Sequence, residues 1–120
     1  LSSRTSDVYG FSVYYSANQN VNVYNGIGTG PLATATNGNI IEVILNGASS
    51  QASVNGGTAV TGNVATDPVG GLNVGVSSGG TSEFFNGDIF EVVVYSGVLG
   101  VEDRASVRAA LGAKYGLTVS

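Results

Sequence analysis

Hydrophobic and polar residues alternate in short runs along most of this chain, and turn-forming residues separate the runs. The clearest runs cover residues 11–16, 21–24, 40–45 and 72–76. A period of two places successive side chains on opposite faces of a pleated strand, so each run predicts a β-strand. With the remaining shorter runs they predict about seven strands at roughly ten-residue spacing, which is typical of an antiparallel sandwich or barrel.

Two runs in the middle of the chain predict a hairpin. Residues 51–54 and 58–61 flank the sequence Asn55-Gly56-Gly57, and Asn-Gly is a strong signal for a tight hairpin turn. The preceding run, 40–45, is apolar on both faces, which favours a central position in a sheet or one beneath a loop.

The C-terminal part of the chain predicts one helix of about fifteen residues. Val107, Leu111 and Tyr115 recur every four residues and would form one apolar face. Two acidic residues in the first turn and Lys114 in the last complement the helix dipole, and Gly116 suits the position after the last helical residue. Because so short a helix is marginal alone, its apolar face is expected to pack on the sheet.

The segment before this helix carries a resemblance to a known family. Residues 85–96 read FNGDIFEVVVYS, and the helix ends in K-Y-G at residues 114–116. This order resembles the closing segment of the laminin-G-like and concanavalin-A-like jelly rolls, and the similarity covers roughly residues 10–117. The resemblance implies an all-β fold, an antiparallel β-sandwich with one short C-terminal α-helix. It also implies a binding or structural role, most often in phage and bacterial surface proteins.

Two departures from the family affect this interpretation. Gly100 occupies the helix cap where the family usually has Ser or Thr, and the family's first strands have no counterpart in residues 1–120. We therefore expect a single jelly-roll domain that lacks its N-terminal strands. Residues upstream of Leu1, or a strand from a neighbouring subunit, would then pair with residues 89–95, which are apolar on both faces.

Composition excludes several classes of function. Charged residues make up 10% of the chain, the net charge is −4, and no basic residue lies between Arg4 and Arg104. Nucleic-acid binding needs clustered Lys or Arg, so we expect none. The chain has no Cys and no His, which removes thiolate sites and the commonest metal ligand and general base. No apolar run approaches the roughly 18–20 residues that span a bilayer, so no membrane insertion is expected.

These observations lead to a functional expectation. Polarity that depends on Ser, Thr, Asn and Gly suits a protein outside the cell or packed in an assembly. We expect a non-catalytic extracellular structural or adhesive module, a phage virion component (capsid decoration or tail) or a bacterial surface-assembly component, with other protein subunits as partners. The alternative is a carbohydrate-binding module of a larger secreted protein, and a third interpretation is a degenerate glucanase.

Candidate ligand-binding residues lie on the first two long strands. Tyr14, Asn22 and Tyr24 fall opposite the apolar faces of their strands and could stack on a cell-surface glycan or contact a protein partner. The alternative is that they cover a second sheet. The absence of Trp makes a strong sugar-binding platform harder to build.

Metal and catalytic candidates are weaker. Asp67 and Asn55 supply oxygens that could bind calcium, although turn chemistry explains loop Asn residues more simply. The enzymatic branch of the family uses E-x-D-x-E, because that spacing places two carboxylates on one face for glycoside hydrolysis. The chain contains no such motif, and Asp88 and Glu91 would point to opposite faces of a strand. We therefore expect no catalytic residues and no enzymatic activity.

Overall fold

The computed structural model of the chain describes residues 2–3, 12–15, 21–24, 38–63, 72–76 and 84–120. Within these ranges the chain forms two small antiparallel sheets, a short 3-10 helix at Gly47–Ser49 and one α-helix. The elements are β1 (Ser2–Ser3), β2 (Ser12–Tyr15), β3 (Val21–Tyr24), β4 (Ile41–Ile44), β5 (Ser50–Val54), β6 (Val60–Gly62), β7 (Leu72–Asn73) and α1 (Val101–Tyr115).

The first sheet has the strand order β3-β2-β1-β7. Its longest pairing joins β2 and β3 antiparallel, from Ser12 opposite Tyr24 to Tyr15 opposite Val21. These two strands confirm the elements that alternation predicted at residues 11–16 and 21–24. The strand predicted at 72–76 is shorter than expected, because only β7 pairs, and its partner is β1.

The second sheet has the order β4-β5-β6, with both pairings antiparallel. The predicted hairpin is confirmed between β5 and β6. Asn55 and Gly56 both have positive φ, 52° and 75°, and the Gly57 N–H donates to the Val54 carbonyl at 2.9 Å. Two consecutive positive φ values match the right-handed twist of the flanking strands. β4 lies at the edge of this sheet, so its predicted central position is wrong.

Asn55 also extends the pairing of β4 with β5 beyond the last pair of strand residues. Its backbone N–H donates to the Ile40 carbonyl at 2.8 Å, and its side-chain Oδ1 accepts from the Ile40 N–H at 2.8 Å. The Nδ2 amide donates to Asn39 Oδ1 at 3.1 Å. Asn55 therefore links the turn after β5 to the residues that precede β4. Asn is common in turns because its side chain can bond to nearby backbone groups.

The hydrophobic core of the described residues is small. Its buried apolar side chains are Ile44, Ala52 and Val54. Ser50 is fully buried as well, and its hydroxyl accepts from the Asn46 N–H and donates to the Gly47 carbonyl. Because a buried hydroxyl is costly without partners, these two bonds explain how Ser50 is tolerated beside the core.

The predicted helix is confirmed as α1. It ends at Gly116, whose φ of 67° allows the left-handed cap, and the Leu117 N–H returns to the Gly112 carbonyl at 2.9 Å. Gly100 precedes the helix without a side-chain cap bond. One stripe of the helix is at least half-buried and includes the predicted apolar face: Arg104, Val107, Arg108, Leu111, Gly112 and Tyr115.

The residues after the helix fold back across it. Gly112 is buried, and a Cβ atom there would lie 3.0 Å from Val119 and 3.1 Å from the Leu117 carbonyl oxygen. The Ser120 N–H then donates to the Asn55 carbonyl at 2.9 Å. A glycine on this helix stripe therefore lets the C-terminal tail pass between α1 and the β5–β6 hairpin.

The predicted jelly-roll sandwich is wrong. The described residues form one sheet of four short strands, another of three, and a helix, which is too small and sparse for two packed jelly-roll sheets. A sandwich needs two apolar sheet faces that bury each other. Among the described residues three apolar side chains are buried, and the helix approaches β4 through charged residues. Alternation and turns predicted individual strands correctly, but they do not specify how many layers the strands build.

The predicted closing strand at residues 89–95 is also wrong. None of the residues from 84 to 100 belongs to a strand, and the apolar side chains of this stretch are exposed. Its alternation satisfies the pattern of a strand, yet a strand exists only where a second strand supplies hydrogen-bond partners.

Candidate functional site: an exposed apolar segment

The most distinctive surface of the described chain is the stretch 84–98, which we call the apolar segment. Nine of its side chains are large, hydrophobic and exposed: Phe84, Phe85, Ile89, Phe90, Val92, Val93, Val94, Tyr95 and Val98. The most exposed, Phe84, Phe90 and Val94, have 70–71% of their surface accessible. Single exposed apolar residues are ordinary, whereas a contiguous run of this size marks an interaction surface.

Both ends of the apolar segment are anchored. The Phe85 N–H donates to the Gly75 carbonyl at 2.8 Å, just after β7. The Phe85 ring folds over Gly87, where an added Cβ would lie 2.9 Å from the ring. At the other end the chain enters α1 directly after Gly100, whose carbonyl accepts from the Arg104 N–H at 3.0 Å.

A cluster of side chains joins the middle of the segment to the last turn of α1. Glu91 Oε2 accepts hydrogen bonds from Lys114 Nζ at 3.0 Å and from the Tyr115 hydroxyl at 2.9 Å. The Phe90 ring stacks on the Tyr115 ring at a centroid distance of 5.6 Å, and Lys114 Nζ lies 5.1 Å from the Tyr115 centroid. These contacts combine ion pairing, aromatic stacking and a cation–π interaction.

The Glu91 cluster shifts the pKa values of Glu91 and Lys114 in the directions expected for an ion pair. The hydrogen bond from Lys114, followed by the one from Tyr115, holds the pKa of Glu91 below its ordinary value of 4.5. The bond to Glu91, again the largest cause, raises the pKa of Lys114 above 10.5. Both groups are therefore charged at neutral pH, although their exposure to water limits what the pair adds to stability.

Eight residues of the apolar segment have no backbone pairing with any part of the chain that the structure describes. From 88 to 95 it contains no helix, strand, turn or bend. In the described part of the chain, no backbone N–H or C=O group of these residues has a hydrogen-bond partner. Such groups can pair with an added strand, as the free edge of a sheet does.

Acidic residues flank the apolar segment. Asp88 lies near its start, and Glu102 and Asp103 follow it in the first turn of α1. None of these three has an ion-pair partner among the residues that the structure describes. Residues 84–103 contain no Lys or Arg, and the one further acid, Glu91, is neutralised by Lys114. Apart from the Glu91–Lys114 pair, the charged side chains within residues 84–103 are therefore all acidic.

A second charged cluster holds the helix on the three-stranded sheet. Arg104 Nη1 donates to Glu42 Oε1 at 2.8 Å, and Arg108 Nη1 donates to Glu42 Oε2 at 2.7 Å. The three side chains are only 15–21% exposed. Arg108 Nε also donates to the Ser120 carbonyl at 2.8 Å, whereas Arg104 Nε is buried and has no hydrogen-bond partner in the described part of the chain. With both carboxylate oxygens occupied by arginines, this cluster is a structural clamp.

The predicted ligand-binding residues fall on neighbouring strands of the other sheet. The register sets Tyr14 directly opposite Asn22, and Tyr24 lies two residues beyond Asn22 on β3. Residues two apart on a strand share a face, so the register assigns all three positions to one face of the β2–β3 pair. Their role in binding a glycan or a protein stays a prediction.

One of the two calcium candidates lies within the described residues. Asp67 lies outside the described residues, and the Asn55 side chain is already engaged with Ile40 and Asn39. Turn chemistry thus accounts for Asn55. In the described ranges, no group of three or more His, Cys, Asp or Glu residues could hold a metal ion.

Comparison with protein-family models, with curated proteins and with solved structures finds no match to this chain. The resemblance to the laminin-G-like family therefore has no support beyond the short motifs that suggested it. Among the described residues, no helix is long and apolar enough to cross a membrane.

The sequence identifies the apolar segment but predicts the wrong structure for it. The signal was present, because residues 89–95 are apolar on both faces, and that pattern was interpreted as a strand closing a sandwich. The clamp at Glu42 was missed entirely. Its partners Arg104 and Arg108 lie 62 and 66 residues away, and no local pattern links residues so far apart.

Proposed function

We propose that this chain is a non-catalytic interaction module of an extracellular or virion assembly, and that its apolar segment binds another protein chain. The observation that carries the proposal is the run of nine exposed large hydrophobic residues within residues 84–98. The low charge of the sequence and its Ser-, Thr-, Asn- and Gly-based polarity support a place outside the cell or within an assembly.

The size of the exposed surface supports a protein partner. An aromatic side chain buries about 150–250 Å², so the four aromatic side chains of the segment, which are 40–71% exposed, offer roughly 350–600 Å². The largest apolar patch of a typical monomer is roughly 300–600 Å², and a standard protein interface buries about 800 Å² on each partner. With its five exposed aliphatic side chains added, the segment exceeds what the aromatic side chains offer alone and approaches one side of a standard interface.

The anchoring of the segment supports the same conclusion. The segment is held at Phe85 near its start, at Glu91 in its middle and at Gly100 just after it. A surface that is already ordered loses less conformational freedom when a partner binds. The Glu91 cluster thus gives the exposed side chains a defined arrangement before any partner arrives.

Selection of random displayed peptides on the immobilised chain tests this proposal. We expect the wild-type chain to enrich apolar peptides that no longer bind a double variant with Val92→Asn and Val94→Asn. The matched control is Ala59→Asn, which adds the same amide at an exposed position outside the segment. Enrichment that is absent, or that is equal on the double variant, would show that the apolar segment is not a binding surface.

A carbohydrate-binding role is the second candidate, and the pairing of Tyr14 with Asn22 is the observation that favours it. Sugars stack on aromatic rings and bond to amides, and the register sets such positions side by side. On a glycan array this role predicts saturable binding to one sugar class that Tyr14→Ala abolishes. Tyr15→Ala is the matched control, because position 15 lies on the opposite face of β2. An array without saturable binding excludes the role.

A further inference from the structure

The apolar segment offers a partner two kinds of contact. Its side chains supply apolar surface, and its backbone from 88 to 95 supplies hydrogen-bonding groups without partners among the described residues. Eight residues exceed the usual strand length of about 5–6 residues. An added extended segment can satisfy such groups in a ladder, which is the mode of recognition called β-augmentation.

Alternation makes both faces of such a ladder apolar. Phe90, Val92 and Val94 occupy positions of one parity, and Ile89, Val93 and Tyr95 occupy the other. A partner strand with apolar residues at alternate positions would therefore meet apolar neighbours on either face. The one charge among residues 89–95, Glu91, is neutralised by Lys114 and does not oppose such a partner.

The charge around the run selects among partners. Asp88 stands at the start of residues 88–95, and Glu102 and Asp103 follow in the first turn of α1. A ligand strand with positive charge on both sides of its apolar centre would be attracted by these three carboxylates, which favours association. A ligand with acidic ends would be repelled by them.

We propose that the partner of the apolar segment is an extended, alternating apolar strand of another protein that carries Lys or Arg on both sides of it, and that it pairs with residues 88–95. This rests on the proposed function, because it names the chemistry of the partner for the same surface. It adds that the partner binds as a strand and is selected by Asp88, Glu102 and Asp103.

The same charges disfavour two other occupants. A second copy of this chain would bring its own acidic ends to the segment, and each copy has a net charge of −4. A membrane surface rich in anionic lipid would be repelled in the same way, because polybasic and not acidic segments bind such surfaces. Charge complementarity therefore favours a basic partner strand over both.

Two synthetic peptides with the same apolar centre test the proposal. One is KKVTVTVKK and the other is EEVTVTVEE, and binding of each to the full chain is measured by isothermal titration calorimetry or fluorescence anisotropy. Exposed charge pairs each change affinity by up to about fivefold, so three acidic residues should make the basic peptide bind roughly tenfold or more tightly than the acidic one. Its affinity should fall several-fold as the salt concentration rises from about 0.05 to about 0.5 M.

Substitutions test which residues cause the binding of the peptides and which cause the preference for the basic one. Asp88→Asn combined with Glu102→Gln and Asp103→Asn should remove most of the preference for the basic peptide, whereas Val92→Asn with Val94→Asn should remove binding of both peptides. Circular dichroism of α1 shows whether each variant is folded. The salt dependence is measured on the wild-type chain, so the test stands even where a variant is unfolded.

Hydrogen exchange tests whether the peptide pairs with residues 88–95 as a strand. Binding of KKVTVTVKK should slow hydrogen exchange at the backbone amides of residues 88–95, in alternate positions, because a neighbouring strand accepts every second N–H on one edge. Peptide that binds without protecting these amides would contradict pairing as a strand.

Other outcomes separate this inference from the proposed function. Equal affinity for both peptides, lost in the valine double variant, would overturn the basic partner and leave the proposed interaction surface intact. A dimer in light scattering that forms through Val92 and Val94, or binding to anionic lipid vesicles and to neither peptide, would overturn the inference by naming another occupant. Failure of the displayed-peptide selection as well would overturn the proposed function with it.

Discussion

The Arg108 Nη1 atom lies 2.7 Å from Glu42 Oε2, and this contact joins α1 to a strand 66 residues earlier in the chain. Arg104 occupies the other carboxylate oxygen at 2.8 Å. Because the apolar segment runs directly into α1, the clamp that holds the helix also positions the segment relative to the three-stranded sheet. The described core contains few buried apolar residues, so this ionic contact is a large part of how the helix is attached.

Removal of the clamp carboxylate should destabilise the fold. Glu42→Gln leaves two mostly buried guanidinium groups without their counter-charge, which should lower the free energy of unfolding by about 1–3 kcal/mol. Chemical denaturation monitored by circular dichroism measures the change. The control is Asp88→Asn, an exposed carboxylate, which should change stability by less than about 0.5 kcal/mol. Equal effects from the two substitutions would show that Glu42 does not anchor the helix.

Alanine at position 112 should also be unfavourable. Alanine normally stabilises a helix interior by about 1 kcal/mol relative to glycine. At Gly112, however, the added Cβ would lie 3.0 Å from Val119 and 3.1 Å from the Leu117 carbonyl, so the returning tail must move. We expect a net loss of about 1 kcal/mol in thermal or chemical unfolding. Gly97→Ala is the matched control, since nothing lies within 4 Å of its Cβ, and it should not destabilise. A stabilised Gly112→Ala variant would mean that the tail does not pack there.

The stability that the Glu91–Lys114 ion pair contributes should be lost at both low and high pH. The pKa of Glu91 is lowered in the folded chain, so the pair's contribution is present above about pH 4.5 and is lost as the pH falls through the lowered value. The pKa of Lys114 is raised, so the contribution is also present below about pH 10.5 and is lost as the pH rises through the raised value.

NMR titration of the Glu91 carboxyl carbon measures the acidic end of this range. In Lys114→Met the pKa of Glu91 should rise, and in Tyr115→Phe it should rise less, because Lys114 is the larger cause of the shift. A Glu91 titration that is the same in Lys114→Met and in the wild type would contradict the cluster.

Hydrogen exchange should distinguish the apolar segment from the rest of the described chain. The amides of residues 88–95 have no hydrogen-bond partner among the described residues and should exchange almost as fast as in an unfolded peptide. The Asn55 and Leu117 amides donate to the Ile40 and Gly112 carbonyls and should be protected. Slow exchange across 88–95 in the isolated, monomeric chain would show that the segment is already paired.

Much of the local structure could be predicted from the sequence. The β5–β6 hairpin follows from Asn55-Gly56, because few residues other than Asn and Gly tolerate successive positive φ values. The helix follows from the recurrence of Val107, Leu111 and Tyr115 and from Gly116 after the last turn. In each case the deciding interactions lie within a few residues of one another, so the local pattern contains the relevant physics.

The candidate site shows where local pattern fails. The alternation in residues 89–95 is the pattern of a strand. A strand also requires a hydrogen-bonded partner strand, and the alternation does not show whether one is present. The same limit made the jelly-roll prediction wrong, because a sandwich depends on which apolar faces meet across the core. The resemblance to a family implied which apolar faces meet, and the structure does not agree with that implication.

By itself, the sequence determined the short strands, the hairpin turn, the helix with its half-buried face, and the presence of an unusually apolar run before that helix. Only the tertiary structure decided that Glu42 meets Arg104 and Arg108 and that Gly112 admits the returning tail. It also decided that the apolar run is exposed and has no backbone partner among the described residues. The physical reason is the range of the interactions. Turn and helix preferences act over about four residues, whereas ion pairs and burial depend on residues that approach one another only when the chain is folded.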